Sequence, residues 1–265
     1  MTLVSTLGGP ARIFGYSVLG AALLLTAGCA RNRNNKKELA YVARDVETLY
    51  NLGKDQLDRK RYKDSALIFD EVERQHPYSV WARRAQLMSA FSYYAAQDYS
   101  QAILSSQRFL SLHPGNRDAA YAHYLIALSY YEQIADVARD QKVTQQALDS
   151  LNEVIRRYPD SRYAADARLK IDLVNDHLAG KEMDIGRFYA RNRQWIAAAT
   201  RFRAVIDKYQ TTSHVPEALH RLVEADLALG IPEEARRTAS VLGANFPGSE
   251  WYERSYRLIQ EHGAA

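Results

Sequence analysis

One motif returns five times along this 265-residue chain, and its spacing dictates what the chain can fold into. At four sites His, Tyr or Phe precedes proline: His76-Pro77, His113-Pro114, Tyr158-Pro159 and Phe246-Pro247. At a fifth, Tyr209-Gln210, glutamine stands in the proline slot. Two residues later comes a small polar residue, Ser79, Asn116, Ser161, Thr212 or Ser249. Eight after the slot stands Ala85, Ala122, Ala167, Ala218 or Ser255, and twelve before it Ser65, Ala102, Ala147, Ala198 or Ala235. Fifteen before it stands Tyr62, Tyr99, Thr144, Trp195 or Pro232. Internal self-similarity of this length is the signature of a repeat array.

Each mark has a physical job. Proline cannot continue a helix interior and pushes the preceding residue out of the α region, so a helix ends there. The Ser, Asn or Thr two places on is expected to cap the next helix, its oxygen accepting an orphan backbone N–H. The alanines mark places where two helices approach too closely for a larger side chain. His76 and His113 occupy the aromatic slot and are read as corner packing. Between the marks the pattern is helical: Ala66, Phe69 and Val72 share a face, as do Leu148, Leu151, Val154 and Ile155. No stretch alternates with period two. The expected fold is all-α, a solenoid of about five tetratricopeptide-like (TPR) helix hairpins. Expected helices run Glu38–Arg59, Tyr62–Gln75, Ser79–Ala96, Tyr99–Leu112, Asn116–Val137, Val143–Tyr158, Ser161–Arg191, Gln194–Tyr209, Thr212–Leu229, Pro232–Asn245 and Ser249–Glu261.

The proline slots lie 37, 45, 51 and 37 residues apart. The 51-residue interval carries 14 extra residues relative to 37, close to four helical turns, so the packing face is kept. An overlong helix over Ser161–Arg191 is expected, bent near Gly180 or Gly186. The 45-residue interval carries eight extra, which would rotate a face by roughly 80°. That length belongs in a connection, for which Ala138-Arg139-Asp140-Gln141-Lys142 is the polar candidate.

The N-terminus points to a location. Arg12 precedes an apolar-to-small run from Val18 that ends Leu24-Leu25-Thr26-Ala27-Gly28-Cys29, and no acidic residue occurs before Glu38. These are the charged and apolar regions of a secretory signal, residues 1–28. Ala27-Gly28-Cys29 resembles a bacterial lipobox, with Thr26 where Leu is usual. The sole cysteine, Cys29, is therefore expected to carry N-acyl and S-diacylglycerol chains. The alternatives are an uncleaved anchor or a buried thiol. The apolar stretch from Ile13 to Ala30 is shorter and more polar than the roughly 20 residues a spanning helix needs. Ala30 follows the modified cysteine at the position where Asp tends to retain a lipoprotein in the inner membrane, and so favours the outer membrane. Residues 29–37 read as a polar tether, and 38–262 as the solenoid, with N-terminal repeats to about 137 and C-terminal repeats from about 138.

Composition narrows the function classes. The formal charge of +4 falls to +3 without the signal, too small a surplus to imply nucleic acid. No phosphate-cradling glycine loop, nucleophile elbow or metal spacing occurs, and His214 and His220, six apart, face away from each other on a helix. A non-enzyme with no cofactor and no metal is expected.

The chain is similar to the BamD (ComL) family of outer-membrane β-barrel assembly lipoproteins. The resemblance rests on Leu52-Gly53 through Tyr62 with Ala66, then His76-Pro77-Tyr78-Ser79, Tyr93-Tyr94-Ala95 and Arg139-Asp140-Gln141. Tyr158-Pro159-Asp160-Ser161-Arg162-Tyr163, Phe188-Tyr189 and Trp195-Ile196-Ala197-Ala198 follow in family order. It implies an all-α TPR-like fold and a lipid-anchored, periplasm-facing protein of the outer membrane. It implies that the N-terminal repeats receive segments of unfolded β-barrel proteins, with Tyr78 and Tyr93 as substrate-peptide contacts. It also implies that the C-terminal repeats dock the POTRA domain of the barrel-forming Bam subunit, and other Bam lipoproteins. Arg201, in the eighth expected helix, matches the family arginine at that interface, and Arg139 and Asp140 in the long connection are further partner-binding candidates. Read as residues alone, Arg201 is one more cation on a helix carrying Arg203 and Lys208. The rival reading is a TPR scaffold lipoprotein for cell-wall or pilus assembly, which has no reason to contain the two long intervals.

Overall fold

The computed structural model describes residues 45–134 and 141–263, and among them the chain forms eleven helices and no strand. In order these are α1 (Val46–Asp58), α2 (Tyr62–Gln75), α3 (Val80–Ala95), α4 (Tyr99–Leu112), α5 (Ala119–Tyr131), α6 (Lys142–Arg157), α7 (Arg162–Arg191), α8 (Trp195–Lys208), α9 (Val215–Ala228), α10 (Pro232–Asn245) and α11 (Glu250–Gly263). Each helix packs against the next, and the odd-numbered helices α1, α3, α5 and α7 also touch in succession, as do α9 and α11. This is the stacking of helix hairpins that the repeat predicts.

The repeat positions are where the close contacts fall. Ser65, Ala102, Ala147, Ala198 and Ala235, together with Ala85, Ala122, Ala167, Ala218 and Ser255, are all fully buried. A larger side chain at any of them would meet a packed neighbour. The aromatic slots fill the corners: Tyr209 and Phe246 pack on the core cluster around Phe202, and the His113 ring lies edge-on to Phe109 with centroids 5.4 Å apart.

Three of the five expected caps are present. The hydroxyls of Ser79, Ser161 and Ser249 accept backbone N–H groups of Ala82, Ala164 and Trp251 at 3.0, 3.2 and 3.1 Å. Asn116 and Thr212 do otherwise. The Asn116 side chain accepts from Asp118 N at 2.9 Å, and the Thr212 hydroxyl donates back to the Tyr209 carbonyl at 2.8 Å. An extra turn intervenes at both corners, so α5 starts at Ala119 and α9 at Val215, each three residues later than expected. The first helix begins at Val46, where the Asp45 carboxylate accepts from Thr48 N at 3.2 Å; residues 38–44 lie outside the described residues.

The two long intervals resolve differently, as their lengths require. Helix α7 has 30 residues against 16 in α3, so the 14 extra residues sit within one helix. Its N-terminal part as far as Leu178 (Ala167, Val174, Leu178) belongs to a cluster with α5 and α6, and the part from Ala179 on (Ala179, Met183) to a cluster with α8 and α9. Four extra turns are what let one helix serve two successive hairpins from the same face. It runs unbroken through Gly180 and Gly186. Gly186 admits a neighbour: a β-carbon there would lie 2.5 Å from the Phe202 ring. In the 45-residue interval α5 ends at Tyr131 and α6 starts at Lys142, so the added length does lie in a connection. Lys142 is already helical, and 135–140 lie outside the described residues.

Candidate functional site

The N-terminal repeats are built around Tyr50, whose ring lies 5.3 Å from Phe69 and 4.8 Å from Trp81. These three rings join α1, α2 and α3. The tyrosines of this region divide sharply. Tyr78, in the corner after α2, is fully exposed and touches nothing that would hold it there. Tyr93, on α3, is half-buried and donates its hydroxyl to the Asp70 carboxylate at 2.7 Å. Burial, followed by that hydrogen bond to an anion, raises its phenol far above the ordinary value. Tyr94 donates to Glu132 at 3.3 Å and its ring lies 5.9 Å from Tyr99; burial and Glu132 push its phenol up to about 12. Tyr62 is half-buried at its repeat position. Of the two tyrosines singled out as contacts, Tyr78 is free to touch a partner and Tyr93 is mostly committed to holding α3 against α2.

In the C-terminal repeats Arg201 is partly exposed, and its guanidinium donates to Glu182 of α7 at 3.1 Å. One of its five N–H donors is thus used inside the chain. Arg203 reaches Asp226 of α9 at 3.5 Å. The Asp226 side chain is 1% exposed and its second oxygen is buried with no hydrogen-bond partner among the described residues. Burial raises its pKa above the ordinary carboxylate value, against the attraction of Arg203.

A polar ladder that the sequence reading missed joins α7, α9 and α11. Arg187 donates to Glu217 at 2.9 Å and to Asp184 at 2.7 Å; Arg221 reaches Glu217 at 3.4 Å and Glu224 at 2.8 Å. Glu224 lies 3.3 Å from His220, whose other ring nitrogen lies 2.8 Å from the buried Ser255 hydroxyl. Burial works against the Glu224 anion, but hydrogen bonds from His220 and Arg221 outweigh it and hold its pKa below the usual range. The Trp251 ring is flanked by Arg254 at 4.7 Å and Arg221 at 5.7 Å, with the His220 ring 5.3 Å away. The signal for this ladder was legible: Glu217/Arg221 and His220/Glu224 are both i, i+4 pairs on one helix. His214, by contrast, faces Asp176 of α7 at 3.7 Å, well away from His220's partners. A cavity of about 500 Å³ opens beside the ladder, lined by Arg187, Arg191, Trp195, Leu258 and His262 among others.

Among the described residues no group of three or more His, Cys, Asp or Glu side chains could hold a metal ion, and no helix is long and apolar enough to cross a membrane. Cys29, Arg139 and Asp140 lie outside the described residues.

The family model described as outer membrane lipoprotein (YfiO) matches residues 42–242. A Caulobacter vibrioides protein named outer membrane protein assembly factor BamD is 53% identical, over 97% of this chain and 83% of its own length. Proteins of the same name from Rickettsia prowazekii and Neisseria meningitidis serogroup A are 47% and 34% identical, each over 90% of this chain and over 94% and 92% of their own lengths. Among solved structures a TPR protein of Thermus thermophilus aligns at a TM-score of 0.37 and 17% identity, covering 83% of this chain and all of that one. That likeness is too slight to weigh, and the fold rests on the helices themselves. The match over most of the solenoid, with relatives this similar along nearly their whole length, means that the chain belongs to the YfiO family of outer membrane lipoproteins, whose curated members carry the name BamD.

Proposed function

We propose that this protein is an outer-membrane protein assembly factor that works without catalysis, by holding and handing over. The observation that carries the reading is identity of 53% and 47% to two BamD proteins along 97% and 90% of this chain. A stack of helix hairpins supports it physically, because such an array presents an extended surface on which a partner segment makes many small contacts. In this reading Cys29 is acylated and anchors the chain in the outer membrane, facing the periplasm. The N-terminal repeats receive segments of unfolded β-barrel proteins. Tyr78 supplies a free aromatic contact there, and Tyr93 contributes through the part of its ring left exposed. The C-terminal repeats dock the POTRA domain of the barrel-forming Bam subunit through Arg201, with Arg139 and Asp140 and the other Bam lipoproteins nearby.

Crosslinked affinity purification from envelopes, with mass spectrometry of the partners, tests this. Barrel-forming subunit and unfolded barrel proteins should co-purify, and the intact mass should begin at a lipid-bearing Cys29. Cell-wall or pilus components in their place would favour the scaffold reading. Arg201→Ala should weaken co-purification of the barrel subunit, because losing one partner of a buried charge pair costs about 2–5 kcal/mol, while loss of the part-exposed Glu182 pair should lower stability by no more than about 1 kcal/mol. Lys208 is the proper control on α8, being exposed. Arg203 is unsuitable, since its removal strips Asp226 of its cation.

A further inference from the structure

Where α1, α3, the end of α4 and the α4–α5 corner meet, a groove of about 470 Å³ combines an apolar floor with a cationic rim. Tyr50, Leu87, Met88 and Phe109 make the floor, and Arg83, Arg84 and Arg117 stand around it. The rim cations are poorly compensated. Among the described residues Arg83 has no ion-pair partner, Arg84 only overlies the Trp81 ring at 5.6 Å, and Arg117 lies 3.8 Å from Asp118. Three guanidinium groups thus face one carboxylate. Arg83 and Arg84 are neighbours on α3, about 100° apart, so their side chains leave the helix in different directions, and Arg117 stands on the separate α4–α5 corner. Val80, 60% exposed, continues the apolar surface out of the groove toward the fully exposed Tyr78.

We infer that this groove binds a peptide segment in which acidic side chains flank an apolar or aromatic one. The recessed floor accepts the apolar side chain and excludes water from it. The rim then meets carboxylates on both sides, in forked hydrogen bonds that guanidinium forms better than any other cation. A membrane of anionic headgroups would satisfy the rim but leave the cavity unfilled. The inference goes beyond the client role proposed above, which does not specify the charge of what binds.

The test uses the full-length protein and a fluorescein-labelled peptide of sequence Asp-Glu-Phe-Glu-Asp. Its Asn-Gln-Phe-Gln-Asn counterpart and vesicles of phosphatidylglycerol are the comparisons. The acidic peptide should bind with saturable anisotropy, and the double variant Arg83→Gln/Arg117→Gln should weaken it by about tenfold or more. Raising salt from about 0.05 to about 0.3 M should weaken it as well. All three arginines are exposed, so the variants should keep the circular-dichroism signal and thermal midpoint. Equal binding of the neutral peptide, no binding of the acidic one, an unchanged affinity in the variants, or vesicles that bind through these arginines without competing with the peptide would each overturn the inference. Loss of barrel-protein capture in the purification above, with peptide binding intact, would sink the client role and leave this groove standing.

Discussion

Asp226 is the residue most at odds with its surroundings. Its carboxylate is buried, one oxygen is unpartnered, and its cation, Arg203, is half exposed and at the limit of hydrogen-bond distance. An acid with a folded pKa above the ordinary unfolded value of about 3.9 binds more protons folded than unfolded. Its ionisation therefore removes stability as pH rises from the unfolded to the folded pKa, and that loss persists at neutral pH. Asp226→Asn should raise stability at pH 7 by about 1 kcal/mol and flatten this part of the pH profile. Thermal melts between pH 4 and 8, taken on both proteins, would show it. Tyr78 and Tyr93 make a second contrast at this scale. Tyr78→Ala should change stability by less than about 0.5 kcal/mol yet reduce crosslinking to barrel proteins. Tyr93→Phe leaves the Asp70 oxygen without its donor and should cost about 1–2 kcal/mol in a urea titration.

Within the hairpins, the turns carry unrelieved backbone strain. Lys60, Gln97, Arg193 and Gly230 each sit 17 residues before a proline slot and have φ of 59°, 61°, 58° and 75°. At each the chain closes the helix in the same way, for example Asp98 N to Tyr93 O and Gln97 N to Tyr94 O, both 2.9 Å. This is the left-handed helix stop that glycine favours, and only the last hairpin uses glycine. Gln97→Gly and Arg193→Gly should each stabilise by about 1 kcal/mol, and Gly230→Ala should destabilise by a similar amount. Chemical-denaturation midpoints of the single variants decide the matter. At the equivalent position of the third hairpin, Lys142 already belongs to α6. A second regularity balances side-chain size across the first, fourth and last hairpins. Gly53 faces Phe69 and Gly186 faces Phe202, where a β-carbon would come within 2.9 and 2.5 Å of the rings. The equivalent pair in the last hairpin is Val223 and Ala239, packed in one cluster.

Across the whole molecule the described helices hold together by packing of small residues at hairpin crossings. Overpacking one crossing should therefore be felt by the hairpins on both sides. Ala122→Leu and Ala167→Leu should each destabilise by about 1–3 kcal/mol, whereas Asp160→Ala, on an exposed corner, should stay within about 0.5 kcal/mol. Urea midpoints that came out alike for the two classes would refute the assignment of these crossings. Helix α7 is the structural joint of the array, since its two parts contribute to two different core clusters.

Much of this architecture was legible in the residues because its causes are local and recur. Proline stops a helix wherever it falls, a serine before a helix caps it, and an alanine kept at one offset marks a close approach. Helices α2, α4 and α10 consequently run between the very residues the pattern names. The length of an insertion also speaks for itself, since 14 residues preserve a helical face and eight do not. What the residues alone left open depends on partners far apart in the chain. Ser79 and Thr212 look equivalent, yet one caps a helix and the other bonds back to its corner. Tyr78 and Tyr93 are both tyrosines of the first hairpins, but only the stacking of α3 on α2 brings Asp70 to Tyr93 and leaves Tyr78 bare. Arg201 finds Glu182 across 19 residues, and the cationic groove exists only where α1, α3 and the α4–α5 corner converge. Helix ends are decided by a few neighbouring residues; charge pairing and exposure are decided by which helices meet.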